Sequence, residues 1–181
     1  MQKPKRVLGV DPSIRSTGIY TGDGDGSFGE KYILLTDHAT KTLKSLPIDI
    51  RVFDRESGKG LTGEDKEAVK TANVSSIITL FEQVLDEVKP DIMAIEAIAF
   101  SANGSIDQLA GVNYAMRLAA LRRGIEVRVI NPTTLKLKVT GNGRATKDDM
   151  IALWRDATGI DWTGKIDDIV DAYWLHELCK Q

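Results

Sequence analysis

The sequence has little that would tie it to an extracellular or membrane-bound class of protein. It contains one cysteine, Cys179, among 181 residues, so a disulfide framework is excluded and a reducing cytoplasm is expected. No apolar run approaches the ~18 consecutive residues that a membrane helix needs. The basic residues at positions 1–6 precede no apolar stretch of the length found in signal peptides. We therefore expect neither a membrane partner nor a targeting segment.

Two further absences concern nucleotides and nucleic acids. No Gly-x-x-x-x-Gly-Lys-Ser/Thr motif occurs, which excludes a P-loop nucleotide-binding site. The formal net charge is −2 at pH 7, whereas nucleic-acid-binding domains are commonly basic. A cluster of acids would lower the total charge and still leave a basic rim around it. The distribution of charge therefore matters more than its sum.

What the sequence does contain is the pattern of one α/β domain over residues 1–181. Buried strands are expected at 5–11, 91–96 and 126–130, and further strands at 19–21 and 31–36. Helices are expected at 64–88, 105–123, 132–139, 146–157 and 167–179. This order predicts a mixed five-stranded sheet, an antiparallel meander followed by parallel strands, flanked by helices. Residues 37–62 are expected to form an exposed insertion, in which 48–53 has the composition of a strand.

Acidic residues follow two of the buried strands. Asp11 ends the first predicted strand and Glu96 ends the strand at 91–96. Ligands of open α/β sheets bind beyond the carboxyl ends of the strands, so neighbouring strands would place both side chains in one crevice. The last helix adds Asp167, Asp168 and Asp171, and helical spacing puts Asp171 on one face with either of the others. Clustered carboxylates repel each other unless hard cations lie among them. We predict a metal site, against the alternative that each acid only caps a turn or helix.

Four short motifs stand out along the chain. Residues 8–18 contain an Asp-Pro turn followed by Thr-Gly, and residues 89–96 lead into the second acid. Residues 139–147 form a Gly-x-Gly loop with a lysine at its end, and residues 168–172 read Asp-x-x-Asp-Ala. Together they resemble the motifs of RuvC-type Holliday-junction resolvases, which belong to the ribonuclease H-like superfamily. They occur in family order and span nearly the whole chain.

The sequence departs from the family at two places. Ser13 stands where the family usually has glycine, and residues 37–62 exceed the bacterial pattern. The insertion suggests a divergent member of phage or mobile-element origin. Such a protein would act in the cytoplasm of a bacterial host.

The resemblance implies a chemistry as well as a fold. It implies an endonuclease that depends on Mg²⁺ or Mn²⁺, with two ions per site. The enzyme would be a homodimer that resolves four-way DNA junctions by paired nicks. Its catalytic and metal-binding acids would be Asp11, Glu96, Asp168 and Asp171, which leaves Asp167 as a neighbour.

Basic and aromatic residues around the third motif are candidate DNA contacts. Lys136 and Lys147 match lysines of the family, and the resemblance gives Lys147 a catalytic role. Lys138 and Arg144 are close to them in sequence and are expected to bind phosphates. Phe100 follows Glu96 by four residues, one later than the matching family aromatic, and could stack on an unpaired base. The alternatives are solvated lysines and a core phenylalanine.

The helix at 105–123 offers a surface for the second copy of a dimer. Its stripe of Leu109, Val112, Met116 and Ala119 is expected to pack on the sheet. Beside that stripe lie the candidate contacts with a partner helix, namely Ile106, Ala110, Asn113 and Tyr114. The alternative is that this helix makes contacts only within its own chain.

Three other functions compete with a junction resolvase. A sugar-kinase or actin-like ATPase also follows its first strand with a Ser/Thr-rich turn, but it needs a second domain with its own phosphate loop. A flap nuclease, a general branched-DNA nuclease or a nuclease of RNA/DNA hybrids would use the same acids. A DNA-structure binder without enzymatic activity would share the fold but would not need the full set of acids.

Overall fold

The structure, a computed structural model, describes residues 5–22, 29–98, 106–162 and 166–180. Within them the chain forms six strands and six helices. In order they are β1 (Val7–Asp11), β2 (Ser16–Gly22), β3 (Lys31–Thr36), α1 (Lys41–Lys44), β4 (Asp49–Val52), α2 (Gly63–Val88), β5 (Ile92–Glu96), α3 (Ile106–Arg122), β6 (Glu126–Ile130), α4 (Pro132–Thr140), α5 (Lys147–Thr158) and α6 (Asp167–Cys179). Each element predicted from the sequence is present, with ends shifted by a few residues at most.

One mixed sheet, in the order β4-β3-β2-β1-β5-β6, forms the centre of the fold. Strands β1, β2 and β3 are an antiparallel meander, whereas β5 pairs parallel with β1, β6 with β5 and β4 with β3. All strands except β2 therefore run in the same direction, and their last residues lie at one edge of the sheet. We refer to it as the carboxyl edge. The expected α/β architecture with a mixed sheet is confirmed.

The prediction of five strands was wrong, because residues 37–62 contribute a sixth. Residues 33–36 of β3 pair with residues 49–52 of β4, and the N–H of Phe53 donates to the carbonyl of Thr36 at 3.1 Å. Phe53 is 5% exposed and lies in the core. Backbone pairing and this buried ring therefore hold the insertion against the sheet, where an excursion into solvent was expected.

Strand β6 also differs from its prediction as a buried strand. It lies at an edge of the sheet, and its residues are exposed or half-buried. Charged side chains occupy this edge: Arg128 Nε donates to Glu126 Oε1 at 2.8 Å, and Lys5 Nζ to Glu126 Oε2 at 3.2 Å. Such charges protect an edge strand from pairing with other chains. The apolar residues of this segment do not by themselves distinguish an edge strand from a central one.

Helices cover both faces of the sheet. On one face lie α2 and α3, and the predicted stripe of α2 is buried there, namely Ile77, Phe81, Val84 and Val88. On the other face lie α4, α5 and α6, with α6 packed across β1 and β2. Among the residues that the structure describes, no helix is both long and apolar enough to cross a membrane.

Two glycines allow α6 to approach the sheet at backbone distance. A Cβ atom at Gly9 of β1 would lie 1.9 Å from the carbonyl oxygen of Ala172. A Cβ atom at Gly18 of β2 would lie 2.1 Å from the carbonyl oxygen of Asp168. Any other residue at these positions would push the helix away, which is the usual meaning of glycine within a strand. The first turns of α6 are thereby held directly against the carboxyl edge.

Candidate active site

Asp11 and Glu96 lie side by side at the carboxyl edge. Their predecessors Val10 and Ile95 are register partners in the β1–β5 pair. Side chains alternate along a strand, so the two acids point to the same face as Val7 and other residues buried beneath α6. The two carboxyl groups share a hydrogen bond.

Helix α6 brings the second pair of acids to the first. Asp168 and Asp171 are three residues apart and half-buried, on the side of α6 that faces the sheet. The backbone of Asp168 packs on Gly18, which is the register partner of Asp11. The acids of the two strands and the helix therefore converge, as the charge interactions among Asp11, Asp168 and Asp171 also indicate.

Crowding of the acids shifts their proton affinities. Burial raises the pKa of Asp11 well above its usual range, and the charges of Glu96, Asp168 and Asp171 raise it further. Burial raises the pKa of Glu96 to about 7, with a contribution from Asp171. Burial also raises the pKa of Asp171 to about 6, against the opposing effect of Lys147. Near neutral pH the cluster holds protons, as crowded carboxylates do when no cation balances them.

The same side chains have the chemistry of a site for hard divalent cations. Carboxylate oxygens are the ligands that Mg²⁺ and Mn²⁺ prefer, and a cation could take the place of the proton that Asp11 and Glu96 share. Within the described ranges, no three acidic, histidine or cysteine side chains already stand at coordinating positions. The donor set fits by its chemistry, and the residues able to supply oxygens are Asp11, Glu96, Asp168 and Asp171.

Two lysines from α4 and α5 face the acids. The ammonium group of Lys147 forms an ion pair with Asp167, which raises the pKa of Lys147, and the charges of Asp168 and Asp171 raise it as well. The half-buried Lys136 lowers the pKa of Glu96 and of Asp171. Positive charge therefore lies beside the acid cluster although the whole chain is slightly acidic.

Local capping positions Lys147. Thr146 precedes α5, and its Oγ1 accepts from the N–H of Asp149 at 3.2 Å. In return the N–H of Thr146 donates to Asp149 Oδ2 at 2.8 Å. This capping box, which the sequence predicts, makes Lys147 the first residue of the helix.

Other sequence candidates are not brought to the acids. Lys138 lies exposed on α4, and Arg144 lies exposed on the loop before α5. The N–H of Arg144 donates to Asn142 Oδ1 at 3.0 Å, which shapes that loop. Phe100 lies outside the described residues.

Two contacts that support the site have no counterpart in the sequence analysis. Asn113 of α3, expected beside a partner helix, is 1% exposed, and its Nδ2 donates to the carbonyl of Glu96 at 2.8 Å. The expectation that Asn113 contacts a partner is wrong, because its amide is used within the chain. Asp167 is the partner of Lys147. The sequence shows the three acids near the start of α6, but it does not show which of them pairs with Lys147 or that Asn113 contacts Glu96.

The turn after Asp11 is held by hydroxyl groups. Ser13 Oγ accepts from the N–H groups of Arg15 and Ser16 at 3.3 and 3.4 Å. Thr17 Oγ1 donates to the carbonyl of Ser13 at 3.0 Å. The serine that replaces the glycine of the resembled motif thus closes the turn with its own side chain.

Comparisons with known proteins indicate one family. The family described as crossover junction endodeoxyribonuclease RuvC matches residues 60–176. A relative of that name from Thermobifida fusca is 30% identical over 145 residues, 78% of this chain and 65% of the relative. One from Nocardioides sp. is 29% identical over 170 residues, 92% of this chain and 81% of the relative. The solved structure "T. thermophilus RuvC in complex with Holliday junction substrate" matches with a TM-score of 0.64 at 19% identity, over 95% of this chain and 90% of that chain. This last likeness supports the expected fold.

Proposed function

The chain belongs to the RuvC family of crossover junction endodeoxyribonucleases, and we propose that it cleaves phosphodiester bonds in branched DNA and resolves four-way junctions by paired nicks. The observation that carries the proposal is the convergence of acids from β1, β5 and α6 opposite Lys136 and Lys147. Acids can hold cations and lysines attract phosphate, so the two together suit phosphodiester cleavage.

Four acids are assigned to the cations of the proposed enzyme, namely Asp11, Glu96, Asp168 and Asp171. The cofactor is Mg²⁺ or Mn²⁺, with two ions per site. When bound, such ions neutralise the acids, polarise the scissile phosphate and supply hydroxide near neutral pH. The acids must lose their protons for this, and the charges of Lys136 and Lys147 favour that loss at Glu96 and Asp171.

The lysines have separate roles in the proposal. Lys147 stabilises the negative charge that develops on the phosphate oxygens, and Asp167 orients its ammonium group until DNA arrives. Lys136 binds a phosphate next to the cut. Lys138 and Arg144 are exposed nearby and extend this contact along the DNA backbone. The stacking role of Phe100 stays a prediction.

A homodimer is part of the proposal. An opened four-way junction has two-fold symmetry, and two sites related by the same symmetry can cut its opposed strands. Helix α3 exposes an apolar stripe at helical spacing, formed by Tyr114, Leu118 and Leu121, each more than half exposed. Contact between the α3 helices of two copies would cover it. The protein should therefore be dimeric at micromolar concentration, and Leu118→Lys with Leu121→Lys should make it monomeric.

The proposed substrate and the single cysteine both suit a protein of the cytoplasm. Cys179 is buried and free, which suits a reducing environment. The relatives compared above are bacterial. We place the protein in the bacterial cytoplasm, and its origin in a phage or mobile element stays a prediction.

A panel of labelled substrates tests the function. It contains a four-way junction, a three-way junction, a flap, a linear duplex and an RNA/DNA hybrid, each incubated in Mg²⁺ and in Mn²⁺. We expect paired, symmetric cuts in the four-way junction and slower cutting of the others. Asp11→Asn is the control, because it should bind the junction and leave it intact.

The alternatives give different patterns. Preferred cutting of the flap or the hybrid would replace resolvase activity with another nuclease activity on the same acids. Tight junction binding without cleavage in either metal would leave a DNA-structure binder. A junction carried on a supercoiled plasmid should give linear product directly, and accumulation of nicked circles would contradict paired cutting by a dimer.

A further inference from the structure

A basic pocket lies apart from the acid cluster, on the face of the sheet covered by α2 and α3. We call it the 54–70 pocket, because its cations come from that part of the chain. Its volume is about 280 Å³. Its defining residues are Arg55, Lys59, Lys66, Lys70, Asn73 and Gln108. None of the four sequence motifs lies in this segment, which begins in the insertion.

The pocket lies at the same edge of the sheet as the acids. Strand β4 runs parallel to β3, so its last residue lies at the carboxyl edge, and the pocket-forming segment starts there. A carboxylate connects the two regions. Asp37 Oδ2 lies 2.9 Å from Arg15 Nε, in the turn after Asp11, and 3.7 Å from Nη1 of Arg55. Positive charge thus continues from the turn beside the acids to the pocket.

The fold separates cations from anions in this segment. Residues 54–70 contain five acids and four basic residues. All four basic side chains line the pocket, whereas Glu56 is the one acid of the segment that does so. Lys70 is paired with Glu67 and Asp107. No ion pair is found for Lys59 or Lys66 within the described part of the chain, so both ammonium groups are free to bind an anion.

A buried amide, that of Asn73, holds one wall of the pocket in place, and a second amide, that of Gln108, has no hydrogen-bond partner among the described residues. Asn73 is 5% exposed; its Oδ1 accepts from the N–H of Glu56 at 2.8 Å, and its Nδ2 donates to the carbonyl of Glu56 at 3.0 Å. Gln108 of α3 is 9% exposed and lines the pocket, and its amide makes no side-chain hydrogen bond to other described residues. An amide without a hydrogen-bond partner at the wall of a pocket is suited to a polar ligand.

We propose that the 54–70 pocket binds the phosphodiester backbone of a duplex arm of branched DNA while the acids act at the branch. The inference rests on the proposed function, since it takes DNA as the substrate. Free lysines beside an unpaired amide donor suit phosphate oxygens. No aromatic side chain is among the described residues that line the pocket, so it is suited to phosphates rather than bases. In this chain the insertion therefore enlarges the DNA-binding surface.

The test compares two double variants that remove the same charge at different places. Lys59→Gln with Lys66→Gln neutralises the pocket. Lys31→Gln with Lys89→Gln is the control, because both lysines are exposed at the opposite edge of the sheet. Lys31 is the first residue of β3, and Lys89 lies between α2 and β5. Fluorescence anisotropy measures binding to a labelled four-way junction in EDTA over a range of NaCl concentrations. Cleavage in Mg²⁺ is measured at saturating DNA.

The pocket variant should bind the junction about tenfold more weakly at low salt, and the slope of log K against log [NaCl] should become shallower by up to about 1.8. Its rate of cleavage at saturating DNA should match the wild type, because the acids and Lys147 are unchanged. The control variant should keep the wild-type slope. Thermal unfolding of the pocket variant should coincide with that of the wild type, since neither Lys59 nor Lys66 has an ion pair to lose among the described residues.

Equal loss of affinity in both variants would overturn the pocket, because the effect would then reflect total charge. An unchanged salt slope in the pocket variant would overturn it as well. A wild-type protein that binds the junction but cuts no substrate would refute the nuclease function alone, and the binding comparison would still decide the pocket. A wild-type protein that binds no DNA would overturn both.

Discussion

The amide of Asn113 donates to the backbone carbonyl of Glu96 at 2.8 Å and so ties α3 to the last residue of β5. Asn113 is 1% exposed and comes from the face of the sheet opposite to the one that the Glu96 carboxylate faces. Asn113 therefore does not touch the reacting groups. It fixes the backbone from which one of the acids projects, and we regard it as a positioning residue.

Asn113→Ala should raise the Mg²⁺ concentration needed for half-maximal cleavage, because Glu96 would no longer be held. It should also destabilise the fold by about 1–3 kcal/mol, since the Glu96 carbonyl loses its buried donor. Val112→Ala, on the same helix but without contact to Glu96, serves as the control. If Val112→Ala shifts the Mg²⁺ requirement as much as Asn113→Ala does, the effect is one of stability and the positioning role is wrong.

The stability of the metal-free protein should fall as pH rises from about 4 to about 7. The folded-state pKa of Glu96 is about 7 and that of Asp171 about 6, both above their ordinary values of 4.5 and 3.8. In this range the folded state binds more protons than the unfolded state, so raising the pH favours unfolding. The measurement is thermal unfolding in EDTA against pH, compared between wild type and Glu96→Gln.

The variant should lose much of that pH dependence and should be more stable than wild type at pH 7. Saturating Mg²⁺ should also reduce the dependence in the wild type, because the cation competes with the protons. Cleavage should increase with pH through about 6 to 7, as the acids become free to hold cations. Parallel pH profiles of stability for wild type and Glu96→Gln would contradict the assignment of the shifted group.

The two neighbouring acids at the start of α6 should differ in effect. Asp168→Asn should abolish cleavage, because Asp168 is assigned to the cations. Asp167→Asn should retain most activity, since Asp167 contacts Lys147 rather than Asp11 or Glu96. Single-turnover cleavage of a four-way junction measures both. The reverse ranking would mean that the register assigned to the last motif is off by one residue.

Substitution of the two lysines that face the acids should affect the cleavage rate and the affinity for DNA separately. Lys147→Ala should lower the cleavage rate by about 100-fold with a small change in affinity, because its charge acts where negative charge develops. Lys136→Ala should weaken binding and make its salt dependence shallower by about one unit of slope. Small and equal effects in both assays would make these lysines part of the solvated surface.

The sequence was sufficient to predict which strands and which helix carry the candidate acids. Asp11 and Glu96 follow apolar runs that form adjacent strands, and the capping box at Thr146 is local and therefore readable. The acids of α6 share a helix face by spacing alone, which left Asp167 and Asp168 equivalent until the motif resemblance was considered. Here the prediction depended on short-range patterns that tertiary structure did not alter.

Features set by long-range pairing could not be predicted in the same way. The composition of residues 48–53 was compatible with a strand, but whether it paired with β3 depended on Phe53 finding space in the core. The burial of Asn113 depended on the rotation of α3 over the sheet. The sequence shows Gly9 and Gly18 within strands, but it does not show that α6 packs on them at backbone distance and leaves no space for a Cβ atom.

The packing of α6 on Gly9 also determines when, during synthesis, a site can exist. Chains emerge from the ribosome N-terminus first and fold largely in that order. A nascent chain that has reached β6 already carries Asp11 and Glu96, but Asp168 and Asp171 follow later in the sequence. Under the proposed function, a nascent chain that lacks α6 therefore cannot cut DNA. The ability to cleave appears only when the last described helix has been translated and has docked onto the first strand.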